Sequence, residues 1–242
     1  MLLAIDQGNQ RTKCALFDGE ALWESWSAPT VKDADAAQLA ALLPAERNGL
    51  RIGLSTVVPA LLPAWSELAA MAALPLTVIT GATPTPLRNA YATPETLGPD
   101  RLMAAVAAAQ RLGTPVIPIS LGTATVVDAV AADGVYLGGM IAPGIAIGMD
   151  GLARAASALP SAPFAVPEAA IGHTTAQSLA SGLFHATLGG LRAMIAATRA
   201  ELGAAAPLAL TGGWAETLAP HLDGVALCDP LLVPRGIARS LA

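Results

Sequence analysis

An apolar strand that runs into a polar turn containing glycine is predicted from the stretch Leu2-Leu3-Ala4-Ile5-Asp6-Gln7-Gly8-Asn9-Gln10-Arg11-Thr12-Lys13. Gly8 allows the backbone to bend sharply and to approach a ligand closely. Asp6 could hold a hydrated Mg²⁺, while Asn9, the turn's N–H groups and Lys13 would face phosphate oxygens. The stretch therefore predicts a phosphate-binding hairpin. The alternative is an ordinary β-hairpin, in which Gly8 and Asn9 serve only the turn.

A second turn of similar composition follows another apolar strand in the middle of the chain. It lies within Ile117-Pro118-Ile119-Ser120-Leu121-Gly122-Thr123-Ala124-Thr125-Val126-Val127-Asp128. Two such turns favour nucleotide binding over a chance hairpin and indicate a repeated architecture. Neither G-x-x-x-x-G-K-[ST] nor G-x-G-x-x-G occurs in the chain, so a nucleotide would be bound by hairpins instead of those loops.

The composition is that of a compact enzyme and not of a disordered or nucleic-acid-binding chain. Of the 242 residues, 54% are hydrophobic and only 13% are charged, which is enough apolar material for a large core. The net charge is −5 and Lys and Arg form no cluster, which argues against a DNA or RNA partner. The low charge density also favours self-association.

No membrane segment or metal motif is predicted. The longest uncharged stretch, residues 68–87, is interrupted by prolines and a glycine, so it predicts a helix end, a strand and a loop. Asp6 falls where the apolar core of a signal peptide would begin. Cys14 and Cys228 lie far apart without metal-ligand spacing, which favours buried thiols in a reducing cytoplasm.

Strand-like and helical segments recur in a similar order in the two halves of the chain, which is an α/β pattern. The predicted strands are 2–5, 12–17, 21–26, 50–58, 76–80, 115–119, 123–131, 135–137 and 208–210. The predicted helices are 33–43, 61–73, 145–158 and 175–201. Asp18-Gly19 and Asp133-Gly134 predict tight turns. We place the boundary between the halves at residues 112 and 113.

This duplication and its turns resemble the actin, sugar kinase and heat-shock ATPase superfamily, and most closely the type III pantothenate kinases. The resemblance rests on the order and spacing of several segments. These are Asp6-Gln7-Gly8-Asn9 with Lys13, 52–59, Tyr91, Gly98-Pro99-Asp100-Arg101, Gly122-Thr123-Ala124-Thr125 with Asp128, 136–144, Leu159-Pro160, Thr175, Ser181-Gly182, Thr211-Gly212-Gly213 and Asp229-Pro230-Leu231-Leu232. It implies an actin-like ATPase fold with duplicated ribonuclease-H-like domains, 1–112 and 113–242, whose mixed sheets are flanked by helices and which clamp ATP between them.

The resemblance also implies an activity. Type III pantothenate kinases use ATP to phosphorylate the primary hydroxyl of pantothenate, giving 4′-phosphopantothenate in the first step of coenzyme A biosynthesis. Asp100 matches the family's general base, which would accept the hydroxyl proton. Arg101 is then a partner for the pantothenate carboxylate. A cytoplasmic homodimer is implied. The alternative is a non-catalytic regulatory relative that binds nucleotide or pantothenate.

The remaining site residues follow from the same resemblance. The residues implied in ATP binding are Asp6, Gln7, Gly8, Asn9, Gln10, Arg11, Thr12, Lys13 and Thr123. Those implied in substrate binding are Tyr91, Gly98, Pro99, Asp100, Arg101 and Thr175. Asp6 and Asp128 match carboxylates that lie near Mg²⁺, through water. Gly212-Gly213 resembles the turn beside the adenosine.

Structural roles compete with several of these assignments. Asp100 could cap a helix over 101–111, and Thr175 could cap the long helix that follows it. Tyr91 could be a partly buried loop aromatic. Asp6 and Asp128 could serve turn chemistry or the solvation of strand ends. Gly138-Gly139 could be a simple turn.

Two residues depart from the family pattern inside its motifs. Ser120 stands where many relatives have an aspartate that is associated with a bound K⁺ or NH₄⁺. Serine supplies a neutral oxygen, which removes the basis for transferring that monovalent cation site to this chain. Gln10 stands where relatives usually have threonine, and its longer amide can still donate a hydrogen bond.

Overall fold

The computed structural model describes residues 1–156, 159, 163–203 and 205–242. Its strands are β1 (Leu2–Gln7), β2 (Arg11–Asp18), β3 (Ala21–Pro29), β4 (Arg51–Thr56), β5 (Leu76–Ile79), β6 (Arg88–Asn89), β7 (Ile117–Leu121), β8 (Ala124–Val130), β9 (Val135–Pro143), β10 (Leu208–Thr211) and β11 (Val225–Cys228). Its helices are α1 (Ala36–Leu39), α2 (Leu62–Met71), α3 (Pro99–Leu112), α4 (Ile145–Ala155), α5 (Thr175–Leu202), α6 (Ala215–Leu218) and α7 (Leu232–Ser240). None of the described helices is long and apolar enough to cross a membrane.

The described residues form two compact units. Unit 1 comprises Met1–Arg111 and Leu231–Ala242, and unit 2 comprises Leu112–Pro230. The sequence analysis placed the last twelve of these residues with the second half, but they belong to unit 1. The reason is α7, whose Leu232, Val233 and Ile237 are buried and which packs on β1, β2 and β4.

The sheet of unit 1 has the strand order β3-β2-β1-β4-β5. Strands β1, β2 and β3 form an antiparallel meander, whereas β4 and β5 continue the sheet from β1 in parallel. Apolar side chains of β1 and β4, including Leu3, Ile5 and Leu54, join residues of α1 and α2 in one core around the buried Trp65. The predicted meander and its Asp18-Gly19 turn are confirmed.

The sheet of unit 2 repeats this scheme in the order β9-β8-β7-β10-β11. Strands β7, β8 and β9 are antiparallel, and β10 and β11 continue from β7 in parallel. The inner residues Ile117, Ile119 and Leu121 pack with Phe184 and Leu191 of the long helix α5. The predicted duplicated α/β architecture, with mixed sheets flanked by helices, is therefore confirmed.

Some local predictions differ from the structure. Strand β9 runs to Pro143, so Gly138-Gly139 lies within a strand opposite Ala129 and Asp128 and forms no simple turn. Helix α4 ends at Ala155, and residues 157–158 of the predicted helix lie outside the described residues, as does Pro160. Cys14 is buried as expected, but Cys228 is exposed because it ends the outermost strand β11.

Gly236 sets how closely α7 packs against α3. A Cβ on Gly236 would clash with the backbone carbonyl of Met103 in α3, and a Cβ on Gly53 of β4 would lie 2.6 Å from the Ile237 side chain. Backbone cannot move aside as a flexible side chain can. Gly236 is therefore required by the space between α7 and α3, whereas a Cβ at Gly53 would meet side chains, which can adjust.

We expect Gly236→Ala to lower the free energy of unfolding by about 1–3 kcal/mol, because the added methyl overpacks the contact of α7 with α3. Gly190→Ala is the control, since Gly190 lies in α5 with nothing near its added Cβ, and alanine there should add up to about 1 kcal/mol. Urea unfolding followed by circular dichroism measures both changes. Equal stability of the two variants would contradict this account of the packing.

Candidate active site

The turn after β1 is closed by its own backbone. The Gly8 N–H donates to the Arg11 carbonyl at 3.0 Å, and a Cβ on Gly8 would lie 3.1 Å from that same oxygen. Asn9 and Gln10 are exposed at the tip. The turn therefore leaves two amide side chains in solvent, as the predicted phosphate-binding hairpin requires.

Two side chains of this hairpin stabilise its shape. Thr12 is buried, and its hydroxyl shares a hydrogen bond with the Thr30 hydroxyl at 3.0 Å. Thr30 in turn donates to the Gly8 carbonyl at 2.8 Å. The Arg11 guanidinium donates to the Ser27 hydroxyl of β3 at 2.6 Å. Thr12 and Arg11 thus tie the turn to β3 and to the segment after it.

Gln7 points into the core of unit 1. Its side-chain oxygen accepts hydrogen bonds from the Thr56 hydroxyl at 2.9 Å and from the Trp65 indole N–H at 3.2 Å. Its backbone carbonyl accepts from the Val57 N–H. Sequence reasoning grouped Gln7 with the ATP-binding residues, but its amide oxygen is occupied by the buried Thr56 and Trp65. The alternation of side chains along β1 places Asp6 on the opposite face.

Asp6 lies between a cation and a second carboxylate. It pairs across the sheet with Lys13 of β2. Removal from water raises the pKa of Asp6 from its ordinary value to about 7, with Lys13 lowering the pKa and Asp100 raising it. Because Asp6 interacts electrostatically with both Lys13 and Asp100, the structure brings together the end of β1, the start of β2 and the start of α3.

Asp6 fits a role near a hydrated divalent cation. Its carboxylate is held near Lys13, and a cation brought beside it would favour its charged form. Within the described residues, no three acidic, His or Cys groups converge as a metal cage. This donor set fits a Mg²⁺ that keeps most of its ligands from water and nucleotide oxygens.

Asp100 lies inside the first turn of α3 and does not cap it. The helix begins at Pro99, and the Gly98 carbonyl accepts the N–H groups of Arg101 and Leu102 at 3.1 and 3.5 Å. The capping alternative is therefore wrong, since an N-cap precedes the helix. A Cβ on Gly98 would lie 2.6 Å from the Asp100 carboxylate. Glycine at 98 leaves the space in which that carboxylate sits.

Arg101 and Tyr91 are brought together in unit 1. Arg101 is buried at 8% exposure, and its guanidinium carbon lies 5.5 Å from the centre of the Tyr91 ring, within the range of a cation–π contact. The loop that carries Tyr91 is fixed by Asn89, which accepts the Tyr91 N–H at 2.9 Å and donates to the Gly81 carbonyl at 2.8 Å. Asp100, Arg101 and Tyr91 thus form one polar cluster.

In unit 2, two other backbone segments pack around the turn after β7. The Gly144 N–H donates to the Thr123 carbonyl at 3.1 Å, and the Trp214 N–H donates to the Leu121 carbonyl at 3.3 Å. Gly212 has a φ of +99°, and a Cβ there would clash with Leu121. Glycine is therefore needed at 212 for both reasons. The predicted phosphate turn and the predicted adenosine turn lie side by side.

Asp128 is buried at 2% exposure within β8. The Tyr136 hydroxyl donates to its carboxylate at 2.9 Å, and Gly139 of β9 lies directly opposite. Strand-end solvation does not describe this aspartate. Sequence reasoning missed Tyr136, although a tyrosine in a strand of mainly apolar residues is a sign of a buried hydroxyl that needs a partner.

Thr175 and Ser120 both belong to unit 2. Thr175 is exposed at the first position of α5. The cap of this helix is Thr174, whose hydroxyl accepts the Gln177 N–H at 3.2 Å, so the capping alternative for Thr175 is wrong by one residue. Ser120 lies near the end of β7, paired with Thr211 of β10.

Comparison with known proteins identifies the family. The family model described as type III pantothenate kinase matches residues 2–197. A type III pantothenate kinase of Roseiflexus sp. (strain RS-1) is 35% identical over 249 residues, covering 98% of this chain and 96% of the relative. The chain belongs to the type III pantothenate kinase family. The family predicted from the turns is therefore confirmed over nearly the whole length.

Solved structures place the fold. A Campylobacter jejuni protein described as a Baf family transcriptional activator has a TM-score of 0.65 at 18% identity, covering 99% of this chain and 96% of the other. A Sinorhizobium meliloti protein described as a 2-dehydro-3-deoxygalactonokinase has a TM-score of 0.58 at 16% identity, covering 99% and 98%. At these identities the likeness concerns the fold alone. It is the actin-like fold shared by sugar kinases, as predicted.

We expect Gln7→Leu to lower the free energy of unfolding by about 1–3 kcal/mol, because it leaves the buried Trp65 N–H and Thr56 hydroxyl without their acceptor. Gln10→Leu provides the control in the same hairpin, since Gln10 is exposed at the tip. Urea unfolding followed by Trp fluorescence reports the difference. A Gln7 variant as stable as the Gln10 variant would show that this network contributes nothing.

Proposed function

We propose that this chain transfers the γ-phosphoryl group of ATP to the primary hydroxyl of pantothenate, giving 4′-phosphopantothenate in the first step of coenzyme A biosynthesis. Membership of the family supports the reaction. The observation that supports particular residues in this reaction lies in unit 1. There, Asp100 at the start of α3 interacts electrostatically with Asp6, which lies beside Lys13. A base, a phosphate-binding cation and a metal-side carboxylate are thereby neighbours.

Asp100 serves as the general base. Its carboxylate accepts the proton of the pantothenate hydroxyl and aligns the oxygen with the γ-phosphorus, which is the main requirement of phosphoryl transfer. Arg101 binds the pantothenate carboxylate while stacked on Tyr91. Gly98 and Pro99 form the start of α3, whose first turn presents both side chains. Thr175 is the remaining proposed substrate contact.

The hairpin of unit 1 binds the ATP phosphates. Lys13 pairs with phosphate oxygens, and Asn9, Gln10 and the N–H groups of the turn donate to them. Gly8 permits the close approach. Gln7, Arg11 and Thr12 contribute through their hydrogen bonds to the rest of unit 1, which hold the hairpin in shape.

In unit 2, we assign phosphate binding to Thr123. Asp6 in unit 1 and Asp128 in unit 2 would hold Mg²⁺ through water molecules, as the family pattern implies. When bound, the cation neutralises the charge of the β- and γ-phosphates. Tyr136 keeps the Asp128 carboxylate in place through its hydrogen bond. We further propose that the protein works as a homodimer in the cytoplasm.

A coupled assay of ADP release tests the function. The purified chain with ATP and Mg²⁺ should release ADP only when pantothenate is added, and the product should have the mass of 4′-phosphopantothenate. Release of ADP that does not depend on pantothenate, or that follows another small alcohol, would contradict the assignment of the substrate.

We expect Asp100→Asn to reduce kcat by about 10²–10⁴-fold, because an amide cannot accept the hydroxyl proton. Asp18→Asn is the control, since Asp18 is exposed in the turn after β2 and asparagine suits such turns. Circular dichroism verifies that both variants fold. Near-normal turnover of folded Asp100→Asn would assign the base elsewhere.

Ser120 predicts how the activity responds to monovalent cations. An anionic ligand supplies most of the attraction for such an ion, and serine provides none. Replacing K⁺ or NH₄⁺ by Na⁺ at constant ionic strength should therefore leave turnover almost unchanged, whereas Ser120→Asp should introduce K⁺ stimulation. Titrations of K⁺ against turnover for both proteins decide the matter. Strong saturable K⁺ activation of the unmodified chain would refute the prediction.

A further inference from the structure

Two buried hydroxyl groups stand out in the described part of the chain. The Oγ of Ser55 and the Oγ1 of Thr211 are buried and have no hydrogen-bond partner among the described residues. The residues themselves are 0% and 2% exposed. Leaving a buried hydroxyl unpaired is costly, so such groups in a folded protein call for an explanation.

The two hydroxyls occupy equivalent places in the duplicated fold. Strand β4 is the parallel neighbour of β1 in unit 1, and β10 is the parallel neighbour of β7 in unit 2. Ser55 is aligned with Asp6, and Thr211 is aligned with Ser120. An isolated packing defect would have no reason to recur at the same position of both sheets.

Each hydroxyl lies on the same face of its sheet as the residue aligned with it. Aligned residues on neighbouring parallel strands project to the same side. In unit 1 this is visible one residue further along, where the aligned Gln7 and Thr56 bond to each other on the core side. Asp6 and Ser55 therefore share the opposite face, with Lys13 aligned on the far side of Asp6.

The hydroxyl of Thr56 is fully hydrogen-bonded within the protein, whereas the hydroxyl of the neighbouring Ser55 is not. Thr56 donates to Gln7 and accepts the Val58 N–H, so both functions of its hydroxyl are used. Ser55, the preceding residue, has a donor with no acceptor. Its neighbour Asp6 carries a half-buried carboxylate, which can accept a hydrogen bond. Because Asp6 and Ser55 are aligned on neighbouring strands, the carboxylate is the acceptor nearest in the sheet register to this donor.

We propose that Ser55 is a positioning residue for Asp6: its hydroxyl donates to the Asp6 carboxylate when the ATP site is filled. Thr211 holds the equivalent place beside Ser120 in unit 2. This inference rests on the proposed function. It makes the unpaired hydroxyl a feature of the unliganded protein whose cost is relieved by binding.

The test compares stability without ligand and affinity for nucleotide. For Ser55→Ala we expect an unliganded melting temperature equal to or above that of the unmodified chain. The Kd for a non-hydrolysable ATP analogue with Mg²⁺ should rise on the order of tenfold, as for a lost hydrogen bond to a charged group. Ser55→Cys, which fills the same space with a weak donor, should lose affinity in the same direction.

Paired hydroxyls in the same units provide the controls. Thr56→Val should lower the unliganded melting temperature, because it leaves Gln7 and Val58 without their partner. In unit 2, Thr211→Val should keep the melting temperature, because the hydroxyl that it removes has no partner among the described residues. Thr198→Val, which removes a buried hydroxyl bonded to the Met194 carbonyl at 2.9 Å, should instead be less stable.

The outcomes separate this inference from the function on which it rests. A fall in melting temperature for Ser55→Ala that matches Thr56→Val, or an unchanged Kd, overturns the positioning role. If the unmodified chain binds the analogue but does not phosphorylate pantothenate, the function fails, and the binding data still decide the role of Ser55. If the unmodified chain does not bind the analogue at all, both are overturned.

Discussion

The alignment of β1 between β2 and β4 is the constraint on which the rest of unit 1 depends. This alignment puts Lys13 on one side of Asp6 and Ser55 on the other. A shift of one residue in either pairing would exchange the polar row with the apolar row, because side chains alternate along a strand. The shift would be strongly opposed, since Leu3, Ile5 and Leu54 are then removed from the core around Trp65. Apolar packing thereby fixes polar positions that it does not itself contact.

The same division of faces explains why a single hairpin contains residues with different roles. Along β1, the side chains of successive residues point alternately to the core and to the opposite face of the sheet. Gln7 stabilises the strand from the core side, whereas Asp6 faces Lys13 and Asp100. At the tip, Asn9 and Gln10 are the residues free of packing demands. A motif predicted as a block of ligands thus contains both exposed residues at its tip and buried residues that support the strand.

Much of this could be predicted from the sequence, because the deciding signals are local. The meander of unit 1 is predicted by strands of alternating or continuous apolar residues and by the tight turn at Asp18-Gly19. Strand β11 and helix α7 were missed, since Val225–Cys228 is short and α7 contains a proline and a glycine that normally argue against a helix interior. Pro234 is tolerated because it lies in the first turn. The close contact with Met103 that requires Gly236 is not visible from sequence spacing.

The same distinction applies to the site residues: some have local sequence signals, and others depend on contacts between distant parts of the chain. The resemblance to the family singled out Asp100 and Arg101, and the proline and polar residues before an alanine-rich run predicted the helix start at which they lie. The aromatic partner of Asp128 and the buried position of Gln7 depend on which residues are aligned on neighbouring strands, and sequence alone does not give that alignment. Ser55 belongs to the same group. Its isolation is a property of three-dimensional neighbours, and serine at a strand end carries no sequence signal of it.

The return of α7 to unit 1 makes unit 2 an insertion within unit 1 in the order of the chain. A ribosome adds residues from the N-terminus onward, so every strand of unit 2 is synthesised before Leu232 is made. The face of β1 and β4 that α7 covers therefore stays open to solvent until the synthesis of unit 2 has ended. Nascent chains spend that interval with part of the first core uncovered, which makes the final turns of α7 the step that protects unit 1 from association with other chains.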